Sequence, residues 1–198
     1  MNKLSRIFAV AVSAIMLASM ASCSKKPSTS TVVNSSKDVT VSTLEPGENY
    51  EGKVGEIFEY TDSGYKITLK QIFYPAGKKH PETNNYFVGC IFEAEKESKA
   101  DSEIKIVALD DFDIFADGED CTKNYMSTMS LTAVKGSVGE DMDIFNGVLS
   151  DKKTGFISFE IPANANEIKL VFHPNKRVSE DTVSYTLSES SINPSYTK

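Results

Sequence analysis

The chain has 198 residues, with 21 Lys and Arg against 28 Asp and Glu, for a formal net charge of −7. That length holds one domain plus a flanking segment, and 40% hydrophobic residues are enough for a core. The acidic balance excludes a binder of DNA or RNA, whose phosphates repel such a surface.

The N-terminus carries Lys3 and Arg6 and then an apolar run from Ile7 to about Ala18. A spanning helix needs about 20 apolar residues, so this run fits a cleavable signal instead. The segment Leu17-Ala18-Ser19-Met20-Ala21-Ser22-Cys23 resembles a bacterial lipoprotein signal, with Met20 where such motifs usually carry Leu. The resemblance implies removal of residues 1–22 and a lipid on Cys23. Its diacylglyceryl group would supply the two chains that stable anchoring requires. An ordinary secretory signal that happens to contain a cysteine is the alternative. Ser24 is not a typical inner-membrane retention residue, so the expected place is the outer membrane, or the outer face of the cell membrane where there is only one. Cleavage also removes Lys3 and Arg6, so the lipid, not a basic patch, is the expected membrane contact.

Residues 23–53 are expected to form the lipidated cysteine and a disordered, Ser/Thr-rich linker, because apolar residues are few and scattered. As a flexible coil, thirty residues span roughly 30 Å on average. Val39–Leu44 is the one stretch that could add an edge strand, but coil is the expectation there.

From 54 to 188 the chain alternates as strands do. Tyr65, Ile67, Leu69, Gln71 and Phe73 share one parity, opposite Lys66, Thr68 and Lys70. Tyr86, Val88, Cys90, Phe92 and Ala94 form a second apolar row. Ile157, Phe159 and Ile161, then Ile168, Leu170 and Phe172, then Val183, Tyr185 and Leu187 form three more. Period two with one polar face marks half-buried strands. Turn residues punctuate them at 62–64, 75–77 and 162–164, and Asp117-Gly118 is a strong hairpin signal. Asn124–Val134 shows no clear alternation and fits a short helix, a long loop or an irregular strand, with Gly136 and Gly139 punctuating a loop after it. Residues 189–198 read as a flexible tail. Several short strands with regular turns indicate an antiparallel sandwich.

The segment order over about 55–173 resembles the immunoglobulin-like domains of unknown function found in secreted bacterial lipoproteins. The matching stretches are Gly55-Glu56-Ile57-Phe58, Tyr65–Leu69, Tyr86–Ala94, Asp113–Gly118, Gly155–Pro162 and Ile168–Phe172. The chain departs from the family at Glu93–Lys99, where an Asn-containing turn is common, and at Ser150-Asp151, where Pro-Gly is common. The resemblance implies an all-β, immunoglobulin-like antiparallel β-sandwich. It implies no activity, because a shared fold does not carry a shared site.

Candidate chemistry is sparse. His80 sits beside Lys78, Lys79 and Pro81 in a loop, and His173 ends a strand, so neither has the partners of a triad or a zinc site. The acidic cluster Asp110, Asp111, Asp113, Asp117, Glu119 and Asp120 is the best candidate for a cation. Of these, Asp111, Asp113, Asp117 and Asp120 are the calcium candidates, because calcium takes several converging oxygens. Counted from Asp113, an EF-hand fails, with Phe115 in its third place and Asn124 in its twelfth. Solvated strand ends are the plainer use of such residues. Glu140, Asp141 and Asp143 could complete a site only if the fold brought them near. Cys90 and Cys121 could form a disulfide in an oxidising compartment, and Cys90 could equally be a buried small hydrophobe. Met126 and Met129 have a spacing that could serve copper, although packing is the simpler role. Phe156 and Tyr74, if exposed, could form a sugar- or peptide-binding face.

These features lead to an expectation of a lipid-anchored, extracytoplasmic and non-enzymatic module that binds a protein or glycan partner. The rival is a calcium-dependent or enzymatic accessory protein using residues 110–120. Convergence of Asp111, Asp113 and Asp120 at a cleft would favour the rival.

Overall fold

The computed structural model describes residues 28–34, 37–44, 47–60, 64–75, 79–97, 103–122, 125–174, 181–188 and 192. The signal at 1–22, Cys23 and, apart from Ile192, the tail at 189–198 lie outside the described residues. In chain order the first strands are β1 (Ser28–Asn34), β2 (Lys37–Leu44), β3 (Asn49–Glu51), β4 (Ile57–Tyr60), β5 (Tyr65–Phe73) and β6 (Tyr86–Lys96). Then come β7 (Ile104–Ile106), β8 (Phe112–Ala116), β9 (Glu119–Asp120) and the helix α1 (Thr128–Val138). The last strands are β10 (Gly147–Leu149), β11 (Lys152–Ile161), β12 (Glu167–Phe172) and β13 (Thr182–Ser188).

A six-stranded sheet runs β1-β2-β4-β5-β6-β11, and a five-stranded sheet runs β3-β13-β12-β8-β9. β7 and β10 form a separate two-stranded ribbon. Over the described residues the protein is therefore mostly β, as expected, with one helix. Among these strands two pairings, β2–β4 and β3–β13, are parallel, and the others are antiparallel.

The inner faces of the two large sheets share one core. Phe92 of β6 lies 5.0 Å from Phe112, 6.5 Å from Phe172 and 6.3 Å from Tyr185 between ring centroids, so the sheets pack face to face. Each such buried aromatic contributes roughly 1.5–3 kcal/mol in transfer terms. The strand alternation supplies these residues: Phe112, Ile114 and Ala116 are buried on β8, as are Val88, Cys90, Phe92 and Ala94 on β6.

β5 departs from strict alternation. Leu69 pairs with Phe92 but Gln71 pairs with Ile91, so one extra residue bulges out at this point. A bulge flips the parity of the residues beyond it. Ile72 therefore joins the main core, and Phe73 turns to the opposite face of the sheet. There Phe73, Ile91 and Phe156 meet Val134 and Val138 of α1 in a second, smaller core.

α1 occupies the stretch that lacked alternation, and runs through Gly136. Ser127 caps it by accepting from the Ser130 N–H at 3.2 Å. Its buried residues, Ser130, Ala133, Val134 and Val138, have helical spacing.

Three expectations need correction. The segment 23–53 is not all linker, because β1, β2 and β3 lie within it. β2 adds to the six-stranded sheet and β3 to the five-stranded one, and Ser42, Leu44 and Tyr50 are buried. Cys90 and Cys121 are both buried and stand as two thiols with no bond between them. Cys90 takes its place in the Val88–Phe92 row as a small hydrophobe, and burial pushes its thiol up. Phe156, finally, is 1% exposed and belongs to the core under α1, not to an open aromatic face.

Candidate functional site

A groove of about 660 Å³ opens between α1, the loop that follows it and β11. Leu131, Ile144 and Phe156 give it an apolar floor, and Lys135, Lys153, Glu140 and Asp143 give it a charged rim. That combination of apolar lining and few polar groups is what ligand sites share.

Both walls are fixed by identifiable contacts. A buried polar network holds α1 on β11. The Ser127 hydroxyl donates to Glu160 Oε1 at 2.7 Å, and the Ser130 and Ser158 hydroxyls lie 3.0 Å apart. Ser130 and Ser158 are fully buried and Glu160 nearly so, so these bonds satisfy groups that would otherwise be costly to bury. Met126 belongs to the same knot: its sulfur accepts from the Ser158 N–H at 3.4 Å.

At the other end of the helix, the Lys135 ammonium donates to the carbonyls of Glu140 and Met142 at 2.7 and 2.6 Å. It thereby ties down the loop that leaves α1, and it complements the helix C-terminus. The loop next joins the open edge of β11. The Phe156 N–H donates to Asp143 O at 3.0 Å, and the Phe145 N–H donates to Phe156 O at 2.8 Å. Phe145 is fully buried against Phe92 and Phe112. Gly155 permits this closeness, because a Cβ there would meet Phe145 Cα and N at 2.8 Å and Asp143 O at 2.9 Å. Asn146 Oδ1 accepts from the Ala108 N–H at 3.0 Å and secures the far end.

The rim is electrically mixed. Lys153 is half-buried and makes no ion pair among the described residues, while Glu140 and Asp143 are exposed. A partner with both an acidic and a basic group would find complements here.

The structure distributes the calcium candidates along β8 and its turns, each with work of its own. Asp111 Oδ2 accepts from the Val107 N–H at 2.7 Å, closing the turn that leads into β8. Asp113 Oδ2 lies 2.7 Å from His173 Nε2 across the β8–β12 pair. Asp117 Oδ1 accepts from the N–H groups of Asn166 and Glu167 at 3.0 and 2.9 Å, and Asp120 Oδ1 accepts from Thr122 N–H at 2.8 Å. Among the described residues, no three of His, Cys, Asp and Glu converge to hold a metal ion. Glu140 and Asp143, from the second acidic group, stand on the groove rim instead.

The remaining candidates also separate. His80 Nδ1 accepts from the N–H groups of Glu82 and Thr83 in its own turn. Met126 faces Ser158, while Met129 is 43% exposed. The Tyr74 ring lies tilted against Tyr86 with centroids 5.0 Å apart, and the Lys79 ammonium sits 4.2 Å from the Tyr86 ring centroid. The groove itself was missed in the sequence, and so was the Ser127–Ser130–Ser158–Glu160 network. A Ser three residues ahead of another at the start of a helix was the available signal, but it depended on recognising α1.

No family model matches the chain, and no curated protein is similar to it. Among solved structures it is similar to a candidate lipoprotein (ycdA) of Bacillus subtilis, with 9% identity over 65% of this chain and a TM-score of 0.46. The match takes in 37% of that protein's length. It is also similar to a candidate lipoprotein of Staphylococcus aureus, with 14% identity, a TM-score of 0.43, and coverage of 72% of this chain and 99% of that one. Neither likeness is close enough to carry an argument about this chain. Among the described residues, no helix is long and apolar enough to cross a membrane.

Proposed function

We propose that the chain is a lipid-anchored bacterial envelope protein whose domain binds a protein or glycan partner without chemistry of its own. The anchor reading rests on Lys3, Arg6, the apolar run and the Leu17–Cys23 box. It places the lipid on Cys23 and the domain outside the cytoplasm. The face-to-face sheets support the finer assignment of an immunoglobulin-like sandwich. One observation carries the binding role: the groove beside α1, with its apolar floor, its mixed rim and the half-buried Lys153.

The test uses soluble protein starting at Ser24 on an array of peptidoglycan fragments, envelope glycans and short peptides. Thr132→Trp fills the groove from an exposed helix position, and Lys153→Glu reverses the rim charge. A ligand retained by the parent protein and weakened at least tenfold by both changes supports the reading. The Glu119→Lys control, on the β8–β9 hairpin, should leave binding unchanged. Binding that is absent, or indifferent to both groove variants, overturns it.

A further inference from the structure

The position of β1 decides how the domain meets the membrane, given the proposed lipid on Cys23. β1 pairs with β2 along its whole length, from Ser28↔Thr43 to Asn34↔Lys37, and β2 pairs in parallel with β4 from Val41↔Ile57 to Leu44↔Tyr60. The sheet therefore begins at Ser28, five residues after Cys23. Whatever their conformation, five residues reach at most about 18 Å. A thirty-residue linker would instead reach roughly 100 Å at full extension.

Strand register gives the direction. Ser28 lies at the same end of the sheet as Thr43, Leu44 and Tyr60, and Tyr60 faces Tyr65 across the β4–β5 pair. The Tyr65 hydroxyl donates to Pro174 O at 3.2 Å, which joins the matching end of the five-stranded sheet. The Val107–Asp111 turn belongs to this end too, because Phe112 pairs with Phe172 there and the His173 N–H donates to Asp111 O. At the opposite end lie the Asp117-Gly118 turn and the turn at 162–166.

We infer that the lipid seats this domain directly against the bilayer in a fixed posture. The β4–β5 end faces the headgroups, and the Asp117-Gly118 end points outward. Two features agree. Lys25 and Lys26 fall between the anchor and β1, where each basic residue near anionic headgroups contributes about 1 kcal/mol. Leu109, at the membrane-facing end, is 65% exposed.

The experiment uses the full lipidated protein, purified from bacterial membranes and bound to vesicles of phosphatidylcholine and phosphatidylglycerol with an energy-acceptor dye on the headgroups. A donor dye is placed through Leu109→Cys or, separately, Asn164→Cys, both at exposed positions. Transfer should be clearly stronger from position 109 than from 164. Inserting twenty Gly and Ser residues between Pro27 and Ser28 should lower transfer at 109 and shrink the difference. Equal transfer from both sites, or no response to the insertion, overturns the posture while leaving the anchor intact. Protein that stays in the supernatant overturns the reading of Cys23, and the posture with it.

Discussion

Gly155→Ala tests how the groove wall is held. The added Cβ would sit 2.8 Å from Phe145 Cα and N, against an ordinary contact of about 3.5 Å, so the backbone must retreat by roughly 0.7 Å. It has little freedom to do so. The Phe145 ring is locked between Phe92 and Phe112, and two backbone hydrogen bonds bind residues 143–145 to Phe156. Overpacking of this kind costs about 1–3 kcal/mol, and strain on two hydrogen bonds can add about 1 kcal/mol. An expected loss of about 2–4 kcal/mol lowers the melting temperature by roughly 5–15 °C for a chain of this size. Gly136→Ala supplies the contrast. Nothing lies within 4 Å of the methyl it would add, and it is inside α1, so it should gain about 0.5–1 kcal/mol from helix propensity. Thermal and urea melts of the soluble protein measure both. A Gly155→Ala protein melting within about 1 °C of the parent would refute the reasoning, because it would mean that the 143–145 segment is not pressed against β11.

Four further outcomes are expected. Ser127→Ala removes the cap of α1 and one partner of Glu160, and should cost about 1–2 kcal/mol in urea melts, whereas an effect under about 0.3 kcal/mol would dissolve the network. The Glu59 carboxyl is held above its ordinary value of 4.5, first by a hydrogen bond with the Glu97 carboxyl and then by burial, against the pull of Lys66. A raised folded value gives stability that is fully present below about pH 4.5 and lost as pH rises through the folded value. Glu59→Gln should therefore gain relative to the parent as pH rises from 4 to 7, and parallel melting curves would contradict this. Cys90 and Cys121 should resist maleimide at pH 8 until the protein is unfolded, and a peptide joining them under non-reducing conditions would contradict the two-thiol structure. Calcium at millimolar levels should leave the melting temperature unchanged, and a rise of several degrees would restore the acidic cluster as a site.

The strands were legible because their buried sides are marked by large apolar residues at every second place. The Asp117-Gly118 hairpin was legible for a local reason as well: both residues take positive φ, at 49° and 84°, as a two-residue turn requires. β2 was hidden because its buried parity holds Ser42 beside Leu44, while Val41 lies on the other side. Ser42 is tolerated inside because its hydroxyl donates to Glu56 Oε1 at 2.6 Å, a partner fourteen residues away. α1 was hidden because two of its four buried residues are Ser130 and Ala133, which weaken a helical hydrophobic period. The parity change in β5 depends on pairing with β6, so it has no local signature. The groove draws on residues from 131 to 156 that meet only once α1 lies across the sheet. Sequence shows the carboxylates of 110–120 but not their partners: Asp111, Asp117 and Asp120 accept from backbone N–H groups, and Asp113 meets His173.

The sharpest test of the lipid anchor is the mass of the N-terminal peptide of the mature protein, made from the full chain in a bacterial host. An anchored protein requires that this peptide begin at Cys23 and carry a diacylglyceryl group. An unmodified Cys23, or a mature chain that starts anywhere else, would contradict it.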